Sequence, residues 1–407
     1  MGSMRIMKSR LSICLLVHVF LLQPAFSEAL TTNLISNQPL DGSQSRLLEE
    51  GFAFASAIPL EPHIKDHARM QYQAVVAALE LKQPLTALEF ANQIPNWMKG
   101  LGLADCSVHL VESGVTNGVA GLLEDADRTA RTAQQEWRYD RVKSRIAQCL
   151  LLLGQEERAK DVGAGLLKSE SGGFEQLKMN TDPGVDLEVA ITMLDGQIAD
   201  GGLDNVNNAL SAYAGLYGRF HGDRLARERI EEHIESGWAS IPYVDRLDIL
   251  KLLFKVAVDS GDIIDAQRLS DKAGTLVRSV EWPARYHVQV LAEVAKLQIR
   301  CGRKEQAFAG LEEALAVFAG NKESVVNIYR AETLVPVAEA FMLANETGRA
   351  LEVYALAVEE AVVNINSRPR AEDLSMICLS MAVHNAVPGT EFAMRVQAIK
   401  KNLGNPW

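Results

Sequence analysis

The sequence contains few aromatic residues. Phe, Trp and Tyr make up 6% of its 407 residues, although 48% of all residues are hydrophobic. Large aromatic side chains dominate the energetics of thick globular cores. The composition therefore favours a thin core of aliphatic residues and alanine.

Cysteine is also scarce and shows no metal-binding or redox spacing. After the amino-terminal region only four cysteines occur, each within a mainly apolar run and none in a CxxC pair. We expect them to be small buried hydrophobic residues. One or two disulfides are the alternative, because the protein is predicted below to be exported. The four are Cys106, Cys149, Cys301 and Cys378.

No apolar run is long enough to span a bilayer comfortably. Arg5, Lys8 and Arg10 precede a short apolar stretch at 11–22, and Ala25 and Ser27 then supply the small residues that signal peptidase accepts. A spanning helix needs about 20 apolar residues. The sequence predicts a signal peptide at 1–27 and an exported protein, periplasmic or secreted. The alternative is an amino-terminal membrane anchor.

Positive charge is in deficit. The formal net charge is −11, and removal of 1–27 makes it −14 over 380 residues. Nucleic-acid binding selects for Lys and Arg against the phosphate backbone. We therefore expect no nucleic-acid partner.

Motifs for catalysis, metals and cofactors are missing as well. There is no HExxH, Walker A, GxSxG or EF-hand pattern, and "GLGLAD" at 100–105 is only a fragment of a dinucleotide fingerprint. His63 and His67 lack a third ligand and are expected to be solvent-exposed. Asp262 and Asp265 are expected to favour the amino-terminal end of a helix rather than to bind calcium. No catalytic residue, metal site or cofactor is predicted.

What the sequence does contain is one helical hairpin, repeated. Clear copies lie at 151–166, 257–273, 297–318 and 343–361. In each, a Gly or Asn suited to a helix-ending turn is followed five residues later by alanine. The clear pairs are Gly154 with Ala159, Gly261 with Ala266, Gly302 with Ala307 and Asn345 with Ala350; weaker pairs are Lys82 with Ala87, Gly121 with Ala126 and Asp204 with Ala209.

The residues around these pairs recur in the same way. Apolar residues stand 13 and 16 positions before the alanine, for example Leu253 and Leu250 before Ala266. Their intervals of three and four residues predict amphipathic helices. No sustained alternation of β-branched residues predicts strands. The fold class is therefore all-α.

These residues resemble the tetratricopeptide repeat family. Ala338, Ala350, Tyr354 and Ala357 match its pattern, although the spacing is near 42 residues rather than the family's usual 34 or so. The resemblance implies a right-handed solenoid of stacked antiparallel helical hairpins. It also implies a concave surface, lined by the first helix of each hairpin, that binds peptides or proteins.

The repeats divide the chain unevenly. We expect an irregular leader at 28–62, amino-terminal repeats at 63–168, an irregular helical segment at 169–245, and carboxy-terminal repeats at 246–407. Within the irregular segment, 171–184 is expected to be a loop. The stretch 223–236 is expected to be an extra helix outside the repeat.

A row of polar residues is predicted on the concave side. Aligned to the family's repeat, Lys251, Lys255, Gln289, Lys296 and Arg300 fall at or near positions that face the groove. Converging cations can bind a carboxylate or an acidic peptide. The alternative is a solvated helix face whose charges Glu293 and nearby aspartates neutralise. We expect an exported scaffold that binds a protein or peptide partner without catalysis. A motif-poor enzyme is the alternative, with its active site in the groove or the irregular segment.

Overall fold

The structure, a computed structural model, describes residues 35–407. Within that range the protein has 19 α-helices and no strand, and 79% of the residues are helical. This confirms the all-α prediction. The predicted signal peptide lies outside the described residues.

The helices follow one another with short connections. Their bounds are α1 Gly42–Ala57, α2 Leu60–Glu80, α3 Pro84–Gln93, α4 Met98–Glu112, α5 Val119–Ala130, α6 Glu136–Leu152, α7 Glu156–Gly163, α8 Lys168–Thr181, α9 Leu187–Ala199, α10 Leu203–Arg219, α11 Arg224–Gly237, α12 Tyr243–Asp259, α13 Ile263–Arg278, α14 Ala284–Arg300, α15 Lys304–Asn321, α16 Arg330–Leu343, α17 Thr347–Val362, α18 Ser367–Val383 and α19 Thr390–Lys401.

Packing between the helices is mostly sequential. An even-numbered helix generally packs against the odd-numbered helix that follows it, as α14 does against α15 and α16 against α17. From α2 to α18 the even-numbered helices also contact one another in order, with the exception of α12 and α14. This arrangement is consistent with a repeat, because each hairpin buries its apolar side against its neighbours.

The chain of helices returns to its beginning. Helix α18 packs against both α1 and α2. The Ser375 hydroxyl donates a 2.8 Å hydrogen bond to the Gly51 carbonyl, and the Gln44 amide donates to the Ala382 carbonyl at 3.1 Å. The series of even-numbered helices therefore closes on itself between α18 and α2, with its loosest contact between α12 and α14.

The hairpin turns explain the sequence pattern. Gly154, Gly261, Gly302, Asn345 and Lys82 all adopt positive φ angles, from 56° to 84°. In each turn the next N–H donates to a carbonyl five residues earlier, as in the 2.8 Å bond from Arg303 to Gln298, so the helix ends with a satisfied carbonyl. The weak pairs at Gly121 and Asp204 were wrong, since both residues lie inside helices.

The loop expected at 171–184 is a further correction. Helix α8 covers most of this stretch. The two glycines that suggested a loop instead permit close packing: a β-carbon on Gly172 would lie 2.7 Å from Asn208 Oδ1, and one on Gly173 would lie 2.9 Å from Gln148 Nε2. The helix expected at 223–236 is present as α11, but it packs against α10 and α9 within the sequential arrangement.

The four cysteines are buried, and none forms a disulfide within the described residues. This confirms the prediction that they serve as small hydrophobic side chains.

Between residues 35 and 407, no helix has both the length and the apolar character that crossing a membrane requires.

Candidate functional site

The five residues predicted to bind a partner lie on two even-numbered helices. Lys251 and Lys255 lie in the second half of α12, and Gln289, Lys296 and Arg300 lie on α14. Arg300 is exposed, and the other four are half-buried. Two of these side chains, Lys251 and Lys296, contact the same carboxylate.

Glu293 brings two of the cations together. Its Oε2 lies 2.8 Å from Lys251 Nζ, and its Oε1 lies 2.8 Å from Lys296 Nζ. Lys296 is on the same helix as Glu293, one turn away, whereas Lys251 reaches across from α12. One carboxylate thus bridges two ammonium groups from two helices.

This bridge is the centre of a longer row of alternating acidic and basic side chains, which we call the ion-pair chain. Lys251 Nζ also lies 3.4 Å from Asp248 Oδ1, and Lys296 Nζ lies 2.6 Å from Glu339 Oε2 on α16. The chain therefore consists of Asp248, Lys251, Glu293, Lys296 and Glu339 in that order.

Neighbouring residues extend the network at Glu339, and a further ion pair lies nearby on α12. The Ser380 hydroxyl of α18 donates a 2.7 Å hydrogen bond to Glu339 Oε1 and lies 2.8 Å from the Tyr354 hydroxyl. Lys255 pairs with Asp259 one turn further along α12. Polar contacts thus connect α12, α14, α16 and α18.

The ion pairs fix the charge states of their members. Burial by itself raises the pKa of Glu293, but the ammonium groups of Lys296 and Lys251 outweigh burial and bring that pKa below its ordinary value. Burial likewise opposes the charge on Lys296, yet Glu339 and Glu293 raise its pKa. Glu293 and Lys296 are therefore both charged at neutral pH.

The contact between α12 and α14, which we call the joint, is looser than the contacts between the other neighbouring even-numbered helices. Other successive even-numbered helices pack side by side, whereas α12 and α14 approach each other closely at no more than a couple of backbone positions. The Lys251–Glu293 ion pair crosses this joint. At the joint, polar side chains therefore connect the two helices directly.

Two glutamates missed in the sequence lie within electrostatic range of these lysines. Glu80 ends α2 and Glu112 ends α4. Burial and the nearby Glu339 raise the pKa of Glu80 to about 7, although Lys296 opposes this. Burial also raises the pKa of Glu112 to about 7 against the attraction of Arg145 and Lys255.

The positions of Glu80 and Glu112 disfavour the ionised form of both carboxyl groups. A carboxylate at the carboxy-terminal end of a helix meets the negative end of the helix dipole. Glu112 Oε1 is also buried and has no hydrogen-bond partner within residues 35–407. Their shared position at a helix end was visible in the sequence, but the approach of α12 and α14 to them was not.

A separate polar group fixes the neighbouring helices. The Tyr72 hydroxyl donates a 2.5 Å hydrogen bond to Asp105 Oδ2, and Arg145 Nε lies 2.9 Å from Asp105 Oδ1. Asp105 is fully buried. These contacts tie α2, α4 and α6 together.

The described residues also contain one group of potential metal ligands, His221, Asp262 and Asp265. Arg227 Nη1 lies 2.8 Å from Asp262 Oδ2 and 3.4 Å from Asp265 Oδ2, so a guanidinium already balances both carboxylates. Asp262 caps α13 by accepting the N–H of Asp265, as the sequence predicted. An ion-pair network accounts for this group.

The histidine pair of α2 was partly misjudged. His67 is 8% exposed, and its Nδ1 lies 2.6 Å from the Ile58 carbonyl. It is therefore a buried histidine that anchors the α1–α2 connection, rather than the exposed side chain that the sequence suggested.

No protein-family model matches the sequence. No curated protein matches it at significant similarity either. The class of the protein is thus given by its architecture: an all-α protein built of sequentially packed helix pairs.

Proposed function

We propose that the protein is an exported helical-repeat scaffold that binds a protein or peptide partner on the face formed by its even-numbered helices, without catalysis. Its repeats would be tetratricopeptide-like and wound into a right-handed solenoid. The partner would carry an acidic or carboxylate feature.

Burial supports the repeat assignment. The alanine five residues past each of the five observed turn residues is completely buried. A larger side chain there would push the paired helices apart. The five are Ala87, Ala159, Ala266, Ala307 and Ala350.

The single observation that carries the binding proposal is the meeting of Lys251 and Lys296 around one carboxylate at the α12–α14 joint. Partly exposed polar groups can exchange partners at lower cost than a packed core can. Lys255 and Arg300 lie on the same two helices, one turn further on. Together they offer charge-assisted hydrogen bonds to an acidic segment.

The test uses Lys255→Ala with Arg300→Ala. Lys296 is unsuitable because its ammonium balances both Glu293 and Glu339, so its removal would destabilise the fold. Pulldown from an envelope extract of the native host first identifies the partner by mass spectrometry. We then expect the double variant to bind the purified partner at least about tenfold more weakly, since each charged hydrogen bond contributes about 1.5–3 kcal/mol before screening.

The matched control is Lys160→Ala with Lys401→Ala, which removes two exposed cations elsewhere. It should bind the partner as the wild type does. Raising the salt concentration should release the partner, because exposed charges are screened over about 8–10 Å. Equal binding by both double variants would refute the site.

The alternative function is an enzyme, and one observation favours it. Glu80 and Glu112 both have a pKa of about 7, the value that suits a general acid or base at neutral pH. Activity screening of the purified protein against hydrolase substrates discriminates the two proposals. Turnover that Glu112→Gln abolishes would replace the scaffold proposal.

A further inference from the structure

We propose that Glu293 is a built-in competitor: its carboxylate occupies the anion position between Lys251 and Lys296, and it leaves that position when a carboxylate of the partner binds there. The inference rests on the proposed function. It adds that the binding site is held closed by an internal contact of the protein itself.

The geometry of Glu293 is that of a bound carboxylate. Each of its two oxygens lies 2.8 Å from a different ammonium group, and the two ammonium groups come from different helices. A peptide carboxylate has the same shape and charge. It would make the same two contacts in the same place.

Glu293 is also the shared member of the ion-pair chain. Without it, Lys251 keeps Asp248 and Lys296 keeps Glu339. Each lysine then retains at least one carboxylate, and the position between them has lost its anion. Removal of any other carboxylate of the chain would leave the bridge across the joint in place.

The position can be reached from solvent. The Glu293 side chain is 26% exposed, and those of Lys251 and Lys296 are 20% and 18% exposed. Because all three side chains keep some exposure, an incoming carboxylate can approach the two ammonium groups from the solvent. Exchange of one carboxylate for another keeps both ammonium groups paired throughout.

A competitor of this kind lowers apparent affinity. For a ligand that binds only when Glu293 is displaced, the apparent Kd equals the intrinsic Kd divided by the fraction of molecules in which Glu293 is displaced. With Glu293 paired to both lysines that fraction is small. Loss of the Glu293 charge should therefore tighten the binding of an acidic ligand, whereas loss of an ordinary supporting residue would weaken it.

The experiment compares the wild type with Glu293→Gln. Isothermal titration calorimetry at low salt measures the Kd for an acetylated tetraglutamate peptide with a free carboxy terminus. We expect the variant to bind at least about tenfold more tightly. Its matched control, Glu313→Gln, removes an exposed carboxylate of α15 whose side chain is 57% exposed, and should leave the Kd unchanged.

A second variant covers the case in which Glu293→Gln does not fold. Glu293→Asp keeps the charge but is one methylene shorter, so it cannot span both ammonium groups. Its Kd should fall between those of the wild type and Glu293→Gln. Circular dichroism establishes the folded state of each protein before titration.

The outcomes separate the two proposals. If Glu293→Gln and Glu293→Asp bind the peptide no more tightly than the wild type, while Lys255→Ala with Arg300→Ala weakens binding of the purified partner, the competitor inference is overturned and the site stands. If no protein binds the peptide and the double variant binds the partner as the wild type does, both are overturned. Tightening in Glu293→Gln that Lys251→Gln then reverses supports the inference.

Discussion

Glu112 makes the stability of the protein depend on pH in a predictable direction. Burial raises its pKa to about 7 from an ordinary 4.5, with Arg145 and Lys255 opposing the effect. In the unfolded chain the carboxyl ionises near 4.5. Between those two values the folded protein binds a proton that the unfolded chain has lost.

The sign follows from that difference. Glu112 contributes stability that is complete below about pH 4.5 and is lost as the pH rises through about 7, because the folded protein must then hold the anion in an unfavourable place. The gap between the two pKa values corresponds to at most about 3 kcal/mol. The side chain is only partly buried, so solvent screening reduces the effect to about 1–2 kcal/mol.

Glu112→Gln removes the charge and keeps the shape. We expect the variant to be more stable than the wild type by about 1–2 kcal/mol at pH 8 and equal to it at pH 4.5. For a chain of this length that is roughly 1–3 °C in Tm. Differential scanning calorimetry of both proteins at half-unit steps from pH 4.5 to 8 measures the divergence.

Comparison of the two proteins at each pH cancels the other titrating groups. Glu157→Gln is the control, since the Glu157 side chain is 88% exposed, and its Tm should follow the wild type throughout. If Glu112→Gln is less stable than the wild type at pH 8, then Arg145 and Lys255 stabilise the carboxylate more than burial disfavours it. The reasoning would then be wrong.

The helical hairpins could be predicted from the sequence because the residues that determine their turns lie close together in the chain. A left-handed turn residue needs Gly or Asn, and a close helix pair needs a small residue at a fixed distance from the turn. Gly302 and Ala307 satisfy both conditions within six residues. Such short-range requirements produce a residue pattern that can be detected in a single sequence.

Glycine led to a wrong prediction at 171–184, where a loop was expected, because there it is required by contacts with distant residues. Gly172 and Gly173 stand in a run that reads as a loop, but their small size serves contacts with Asn208 and Gln148. Both partners lie on other helices, more than 20 residues away in the sequence. A pattern along the chain carries no information about which distant backbone must be approached.

The packing of α18 against α1 and α2 could not be predicted from the sequence for a similar reason. Ser375 meets Gly51 across more than 300 residues, and no residue type marks a surface as the partner of one so far away. The same limit applied to the candidate site, because its contacts join residues that are distant in the chain. The cations of α12 and α14 were recognised from their helical spacing, whereas the bridging role of Glu293 and the proximity of Glu80 and Glu112 required the packed helices.

Two further predictions test the packing directly. Thiol titration of the denatured, non-reduced protein, produced without residues 1–27, should find four free thiols per chain, as the buried cysteines imply; fewer than three would show disulfides. Gly215→Ala should destabilise the protein by about 1–3 kcal/mol, because the new β-carbon would lie 2.3 Å from the Gln176 carbonyl oxygen. That atom belongs to the backbone of α8, so α8 and α10 must separate to relieve the contact. Gly310→Ala is the matched control, since no atom lies within 4 Å of its β-carbon position and alanine favours the helix. An equal Tm for the two variants would mean that α8 and α10 do not pack this closely.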